Sequence, residues 1–185
     1  MLILNRFIGL IFFLLFLPVY FIIFLIILLF DGFPILFKQD RFGQNNSTFS
    51  IYKFRTMKNN IGDIPTHLVG DSKMMFSKTG LLLRKLSFDE LPQIFNIIKG
   101  DMVFVGPRPA LHNQYDLIEL RTEKGIHKLK PGVTGWAQVN GRDELSIPEK
   151  VNFENHYLHH KSFLLDFKII LITVVQIFIP KGVSH

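Results

Sequence analysis

A stretch of 24 uncharged residues runs from Phe7 to Phe30 and reads FIGLIFFLLFLPVYFIIFLIILLF. As one continuous helix it would be roughly 36 Å long, at about 1.5 Å per residue, which is enough to cross a bilayer. This length argues against a cleavable signal peptide, and so do the residues that follow, because they contain no small-x-small cleavage site. The stretch therefore predicts an N-terminal membrane segment, which we place at residues 1–32.

Two topologies of this segment remain open from its residues alone. In the first, one helix spans the bilayer, and the excess of basic residues after it places the rest of the chain in the cytoplasm. In the second, Pro18 breaks the helix at its middle, because proline lacks an N–H and clashes with the preceding turn. The segment then turns back as a re-entrant helix-break-helix with both ends cytoplasmic. Both topologies put residues 31–185 on one side of the membrane.

The overall composition narrows the classes of protein. The chain has 185 residues, which favours one compact domain, and its formal net charge of +6 favours an anionic partner. It has no Cys, which excludes a disulfide scaffold, thiol catalysis and thiolate metal sites. The aromatic residues concentrate in the apolar segment instead of alternating with basic residues, so the composition does not favour nucleic-acid binding.

Residues 33–185 mix extended and helical patterns, which predicts an α+β fold. We expect short strands within 33–57, a polar surface loop at 59–73, and a short strand at 136–139. Predicted helices cover residues 81–86, 87–98, 110–124, 147–158 and 163–179. The last of these is too polar to be predicted as a membrane span, and it suits either the core or the membrane interface.

Two adjacent carboxylates, Asp89 and Glu90, are the first candidate reactive groups. Neighbouring residues on a helix do not face each other, so they do not suit a proton-sharing dyad. Near a helix start, positive potential keeps a carboxylate ionised, which suits a nucleophile or a Mg²⁺ ligand. The alternative is structural, because Ser87 and Glu90 have the spacing of a capping box. The residues alone leave both interpretations open.

Basic residues form the second set of candidates. In an extended segment Lys53 and Arg55 point to one face and could hold a phosphate, although a solvated or headgroup-facing surface explains them too. Arg108 lies between two prolines, which suits rigid phosphate binding or an exposed linker. The histidines at 156, 159 and 160 have the i, i+3, i+4 spacing found in some helical metal sites, but a solvated or headgroup-facing helix face is the better interpretation of His156, His159 and His160.

Five motifs, in this order, resemble the bacterial sugar transferase family, the monotopic, PglC-like phosphoglycosyl transferases. The resemblance covers nearly the whole chain, with a poor match in the loop at 59–73. The chain departs from the family pattern at Gly9, Glu154 and His160. The matching motifs are KFRTM at 53–57, LSFDELPQ at 86–93, NIIKGDM at 96–102, VGPRP at 105–109 and KPGVTGWAQVNGR at 130–142.

The resemblance implies a reaction and roles for particular residues. The family transfers a phosphosugar from a UDP-sugar to undecaprenyl phosphate and releases UMP, with Mg²⁺ as cofactor. Asp89 then matches the nucleophile that forms a covalent phosphosugar intermediate, and Asp89, with Glu90, matches the Mg²⁺ site. The expected substrate- and phosphate-binding residues are Lys53, Arg55, Arg84, Arg108, Gln138 and Arg142.

The resemblance also implies a location and partners. The N-terminal segment of the family is re-entrant and broken at a proline that matches Pro18. Residues 33–185 are then a catalytic domain on the cytoplasmic face of the bacterial inner membrane, held there by interfacial helices. The expected partners are a UDP-sugar, undecaprenyl phosphate and the inner leaflet, not nucleic acid. A homo-oligomer or contact with downstream glycosyltransferases stays open, and the alternative function is an inactive scaffold for glycan-assembly enzymes.

Overall fold

The computed structural model describes residues 2–58, 75–141 and 144–178. At the N-terminus, helix α1 (Leu2–Leu15) and helix α2 (Leu17–Phe30) meet at an angle of 61°. Pro18 lies in the first turn of α2, where its missing N–H leaves no helical hydrogen bond unmade. The helix break that the sequence predicts at Pro18 is therefore present.

The two N-terminal helices expose much of their apolar surface. Within the described residues no helix alone is long and apolar enough for a membrane passage, whereas α1 and α2 together meet those two criteria. One face of α2 packs on the rest of the protein through Ile23 and Ile27, which are buried, while Leu29 and Phe30 are about three-quarters exposed. The helix pair thus offers an apolar surface of the kind that lipid covers. The division of the chain at residue 32 stays a prediction.

Helix α1 is attached to helix α4 (Gln93–Lys99) and to strand β3 (Val103–Val105) by its first residues. Arg6 donates to the carbonyl oxygen of Lys99 at 2.7 Å, and the Asn5 side chain accepts from the N–H of Phe104 at 3.2 Å. A Cβ on Gly9 would lie 3.2 Å from a side-chain carbon of α4. The departure from the family pattern at Gly9 thus permits close packing of the two helices.

Two small sheets form the β part of the fold. Strands β1 (Leu36–Phe42) and β2 (Thr48–Phe54) form an antiparallel hairpin, as the sequence predicts for residues 33–57. Asn45 and Asn46 make the hairpin turn with φ of 55° and 57°, which asparagine tolerates better than most residues. Strand β4 (Ala110–Leu111) pairs with the other edge of β1, and strand β5 (Gly132–Thr134) runs parallel to β3.

The remaining helices are α3 (Lys78–Lys85), α5 (Tyr115–Glu123), α6 (Trp136–Val139), α7 (Ile147–His160) and α8 (Phe163–Phe178). The predicted helices at 147–158 and 163–179 correspond to α7 and α8. Helix α3 extends the prediction for 81–86 and begins after Ser77, whose hydroxyl accepts from the N–H of Gly80. The predicted helix at 110–124 is shorter, because β4 takes its first residues. The predicted loop at 59–73 lies outside the described residues.

The predicted strand at 136–139 is wrong, because these residues form the short helix α6. Trp136 and Val139, three residues apart, lie on the same side of that helix and pack into a cluster with Tyr157 and Ile169. Four residues are too few for alternation to distinguish a strand from a helical turn. The cluster decides between them, since only helical spacing brings both side chains to it.

One face of helix α8 packs into the core, and the other face is exposed. Ile169 is completely buried, whereas Phe163, Leu164 and Phe167 are more than half exposed. The sequence left open whether this helix lies in the core or at an interface. The structure gives it a core face and an exposed apolar face along the same helix.

Candidate active site

The turn that carries Asp89 and Glu90 is a 3₁₀ helix, Phe88–Glu90, and is not the start of a long α-helix. Ser87 precedes it with φ of 55°, and its side chain makes no capping hydrogen bond. Pro92 then opens α4, a position that suits a residue without an N–H. The predicted helix at 87–98 therefore begins at Gln93, and the capping-box interpretation of Ser87 and Glu90 is wrong.

Glu90 is held by two cations. Its Oε1 accepts from Lys53 Nζ at 2.8 Å and from Arg108 Nη2 at 2.7 Å. Burial opposes the ionised form of Glu90, but the charges and hydrogen bonds of Arg108 and Lys53 together outweigh it and hold the pKa of Glu90 well below its usual value. One carboxylate oxygen thus joins β2 to the loop that follows β3.

Asp89 is a buried carboxylate, with 8% of its surface exposed. Burial raises its pKa above the ordinary value, and the negative charge of Glu90 adds to this, whereas Lys53, Arg84 and Arg108 lower it. Burial prevails over the three cations. The ionised form of Asp89 is therefore poorly solvated, and it lies within the field of three positive side chains.

The two arginines whose charges lower the pKa of Asp89, Arg84 and Arg108, are held by different elements. Arg84 lies in the last turn of α3, with its guanidinium 4.4 Å from the centre of the Phe76 ring. Arg108 lies in the turn between β3 and β4. In this turn Gly106 approaches Gly135 so closely that a Cβ on Gly135 would lie 2.1 Å from the Gly106 carbonyl oxygen. Glycine is required at position 135 because no side chain fits there.

Arg55 lies elsewhere. Its guanidinium donates to the carbonyl oxygens of Asp31, Gly32 and Phe33, where the chain leaves α2. Strand β2 ends at Phe54, so the strand alternation that would put Lys53 and Arg55 on one face does not continue to Arg55. The arrangement gives no support to the prediction that both hold the same phosphate.

Gln138 lies on α6, and its Oε1 is 2.7 Å from the position that a Cβ on Gly135 would take. Both polar atoms of its side chain are buried and make no hydrogen bond with the described residues. Among the described residues, no hydrogen bond competes with its predicted substrate-binding role, which stays a prediction. Arg142, the remaining predicted substrate-binding residue, lies outside the described residues.

The carboxylates at Asp89 suit a metal ion that is bound partly by the protein and partly by substrate phosphates. The described residues contain no group of three or more His, Asp or Glu side chains with the arrangement of a metal site. Asp89 offers a carboxylate, while one oxygen of Glu90 is engaged by two cations. Mg²⁺ is commonly bound by one or two carboxylates together with phosphate oxygens of a substrate. The residues fit that mode, in which Asp89 would be the principal protein ligand.

A large apolar groove lies between the helix pair and the domain, and the sequence analysis did not anticipate it. Its volume is about 780 Å³, and its lining includes Phe13 and Pro18 from either side of the helix break. On the domain side it is lined by Phe54, Pro92 and Phe95. Pro92 is three residues from Asp89, so the groove lies next to the turn that carries the carboxylates.

The departures at Glu154 and His160 lie away from these carboxylates along the chain, on α7. Glu154 is 2% exposed and forms a two-point ion pair with Arg121 of α5. His160 is exposed and stacks on the ring of His156, with ring centres 4.1 Å apart. Glu154 therefore joins two helices, and His160 lies on the surface.

Comparison with known proteins decides the family. The sequence profile described as bacterial sugar transferase matches residues 2–180. The chain belongs to the bacterial sugar transferase family. The uncharacterised sugar transferase EpsL of Bacillus subtilis (strain 168) is 44% identical over 156 residues, which are 83% of this chain and 75% of that protein.

Two relatives of this sugar transferase have more specific names. The UDP-glucose:undecaprenyl-phosphate glucose-1-phosphate transferase of Escherichia coli (strain K12) is 38% identical over 80% of this chain. The UDP-N-acetylgalactosamine-undecaprenyl-phosphate N-acetylgalactosaminephosphotransferase of Aeromonas hydrophila is 37% identical over 76% of it. In each case the match spans 34% of the relative's own length.

Proposed function

We propose that this sugar transferase moves a sugar phosphate from a UDP-sugar to undecaprenyl phosphate and releases UMP, which would begin a bacterial glycan such as an exopolysaccharide, an O-antigen or a protein-linked glycan. The observation that carries the proposal is the buried Asp89 carboxylate surrounded by Lys53, Arg84 and Arg108. The names of the relatives support the choice of donor and acceptor.

The first half of the reaction uses Asp89 as nucleophile. A carboxylate oxygen attacks the sugar-proximal phosphorus, an O–P bond forms to Asp89, and the bond from that phosphorus to the oxygen bridging the two phosphates breaks. UMP leaves with the electron pair of that bond, and the sugar phosphate stays on the enzyme. In the second half, a phosphate oxygen of the lipid attacks the same phosphorus. The Asp89 carboxylate is regenerated and the lipid diphosphosugar is released.

The neighbouring cations offset charge on the phosphates. Arg108 and Lys53 are placed by Glu90, and Arg84 is held against an aromatic ring, so their positions are fixed before substrate binds. Preorganised charge of this kind stabilises phosphoryl transfer without reorganisation during the reaction. Mg²⁺, bound through Asp89 and the donor phosphates, would neutralise part of the diphosphate charge.

The apolar groove supports a lipid acceptor. Its lining is hydrocarbon and aromatic, and it lies next to the catalytic turn, so an isoprenoid chain in the groove would bring its phosphate near Asp89. We infer that α1 and α2 form a re-entrant hairpin in the inner leaflet, with α8 at the interface and the domain on the cytoplasmic face. The bend of 61° and the exposed apolar faces support that placement.

The test is UMP release by purified protein in detergent, with Mg²⁺, undecaprenyl phosphate and a panel of UDP-sugars. Asp89→Asn keeps the size of the side chain and removes the nucleophile, while Asp116→Asn alters an exposed carboxylate in the first turn of α5. We expect lipid-dependent release from one or more donors by the wild type and by Asp116→Asn, and none by Asp89→Asn.

Turnover that survives in Asp89→Asn would refute the role of Asp89 as nucleophile. The covalent intermediate has a separate check, in which labelled UMP exchanges into the UDP-sugar in the absence of lipid. A wild type that releases UMP from no donor would contradict the proposal and favour the inactive scaffold.

A further inference from the structure

Tyr20 is an exception within the membrane segment. Between Phe7 and Phe30 it is the one side chain that can donate a hydrogen bond, in a sequence that otherwise uses Phe for its aromatic positions. It lies on α2, two residues after Pro18. Polar atoms in an apolar setting are costly unless they find a partner. The hydroxyl of Tyr20 therefore needs a specific partner nearby.

That partner is the catalytic turn. The hydroxyl of Tyr20 donates to the carbonyl oxygen of Leu91 at 2.5 Å, and Leu91 directly follows Glu90. The same carbonyl accepts from the N–H of Ile94, in the first turn of α4, at 3.0 Å. Tyr20 thus attaches the membrane helix to the junction between the 3₁₀ turn of Asp89 and helix α4.

The ring of Tyr20 is held by aromatic neighbours from three elements. Its centre lies 5.4 Å from that of Phe13 on α1, 5.8 Å from that of Phe54 at the end of β2, and 6.2 Å from that of Phe95 on α4. These packed rings restrict its rotation, and the apolar surroundings strengthen its hydrogen bond by excluding competing water. The position of the hydroxyl is therefore fixed jointly by α1, on the other side of the helix break, and by the domain.

The same ring lines the apolar groove. A chain that occupies the groove touches one side of Tyr20, while the hydroxyl of Tyr20 holds the backbone next to Glu90. We propose that Tyr20 is a positioning residue that couples occupation of the groove by the acceptor's isoprenoid chain to the order of the turn carrying Asp89. This inference rests on the proposed function, because it takes undecaprenyl phosphate as the occupant.

The most direct test measures the coupling without catalysis. Hydrogen–deuterium exchange is followed by mass spectrometry in phospholipid nanodiscs, with and without undecaprenyl phosphate, on peptides that cover α2 and residues 88–99. Tyr20→Phe keeps the ring and removes the hydroxyl. Tyr115→Phe is the matched control, because Tyr115 is 70% exposed on α5.

We expect the lipid to slow exchange in both α2 and residues 88–99 of the wild type and of Tyr115→Phe. In Tyr20→Phe the lipid should still protect α2 but lose its effect on residues 88–99. Equal protection of residues 88–99 in Tyr20→Phe and wild type would overturn the inference, and so would a wild type in which the lipid protects only α2.

Kinetics give an independent readout. Loss of one hydrogen bond from a positioned turn should lower lipid-dependent turnover by about three- to tenfold, while exchange of labelled UMP into the UDP-sugar without lipid changes less than twofold. An equal loss of both activities would indicate a merely structural role and overturn the coupling. Failure of the proposed function is distinct, since the wild type itself would then release no UMP while the exchange experiment still tests Tyr20.

Discussion

Two glutamates of this protein pair with arginine in different ways, and Glu154 is buried whereas Glu90 is half-buried. Glu154 uses both carboxylate oxygens for Arg121, and the two side chains are 2% and 9% exposed. Glu90 uses one oxygen for both Lys53 and Arg108, with Arg108 35% exposed. The first arrangement is closed and balanced in charge. The second has an excess of positive charge and an arginine that solvent can reach.

The difference separates an ion pair that joins two helices from an ion pair that, under the proposed function, lies beside the donor phosphates. A fully buried two-point pair has neither an exposed cation nor space for another anion. Glu90 pairs with two basic side chains, Lys53 and Arg108. Asp89 lies close enough to interact electrostatically with Glu90 and with Arg84. A diphosphate can share those cations without leaving a buried charge alone. The comparison predicts that variants of the two sites affect different measurements.

The largest expected effect on stability is at the buried pair formed by Glu154 and Arg121. Glu154→Gln leaves the buried Arg121 without its counter-ion, so we expect the free energy of unfolding to fall by about 3–5 kcal/mol. Denaturation in detergent, followed by the fluorescence of Trp136, the single tryptophan, measures it. The double variant Arg121→Met, Glu154→Leu should recover much of the loss. A single variant as stable as the wild type would remove the distinction between the two pairs.

The next largest effect is on turnover, at the pair formed by Glu90 and Arg108. Arg108→Ala should lower the rate of lipid-dependent UMP release by about 10²–10³-fold, a magnitude known for loss of one charge-stabilising donor. Because Arg108 is about one-third exposed, the free energy of unfolding should change by less than about 1 kcal/mol. Arg108→Lys should be intermediate, since lysine keeps the charge without the two-point geometry. A loss of stability that accounts for the loss of rate would contradict the assignment.

The sequence was informative where local chemistry decides the structure. Pro18 predicts the break between α1 and α2, because a proline inside a helix removes a hydrogen bond wherever it occurs. The hairpin β1–β2 and the helices α7 and α8 follow from periodicity and from turn residues such as Asn45. These features depend on neighbours in the chain and need no knowledge of distant packing.

The site was only partly predictable, because it depends on packing between elements that are distant in the chain. Residue types and the family resemblance singled out Asp89, Glu90 and Arg108, but the sharing of one Glu90 oxygen depends on how β2 and the 106–109 turn pack around the 3₁₀ turn. Arg55 shows the limit most clearly, since its three carbonyl partners become available only after α2 ends beside β2. The apolar groove is formed by distant elements, and the sole local signal for it was Tyr20 among phenylalanines.

A smaller change in rate should distinguish the two cations that share Glu90. Lys53→Met should lower turnover roughly tenfold, which corresponds to about 1.4 kcal/mol of transition-state stabilisation, because lysine acts as a point charge and lacks the fork of arginine. Lys99→Met removes a lysine paired with Asp101 on the surface and serves as the control, with turnover expected to stay within twofold of the wild type. Equal losses in the two variants would point to a general effect of net charge.

The smallest effect concerns stability at Asp89, the proposed nucleophile, and its sign is opposite to the usual one for a lost charge. Burial raises the pKa of Asp89, so the folded state is favoured while the group is protonated. This advantage is fully present below the unfolded value near 3.8 and is lost as the pH rises through the folded pKa. Asparagine resembles the protonated form, and Asp89→Asn should therefore have a higher Tm than the wild type at pH 7.

The pKa of Glu90 is shifted in the other direction, which provides the contrast. Although burial opposes its ionised form, Arg108 and Lys53 lower its pKa, so its contribution to stability is present above the unfolded value near 4.5 and is lost as the pH falls through the folded pKa. Glu90→Gln should therefore lower Tm at pH 7, and its deficit should shrink on acidification below that value. Melting curves of both variants and the wild type, from about pH 2.5 to pH 7, test both signs. A fall in Tm for Asp89→Asn at pH 7 would mean that the three cations, and not burial, dominate the environment of Asp89.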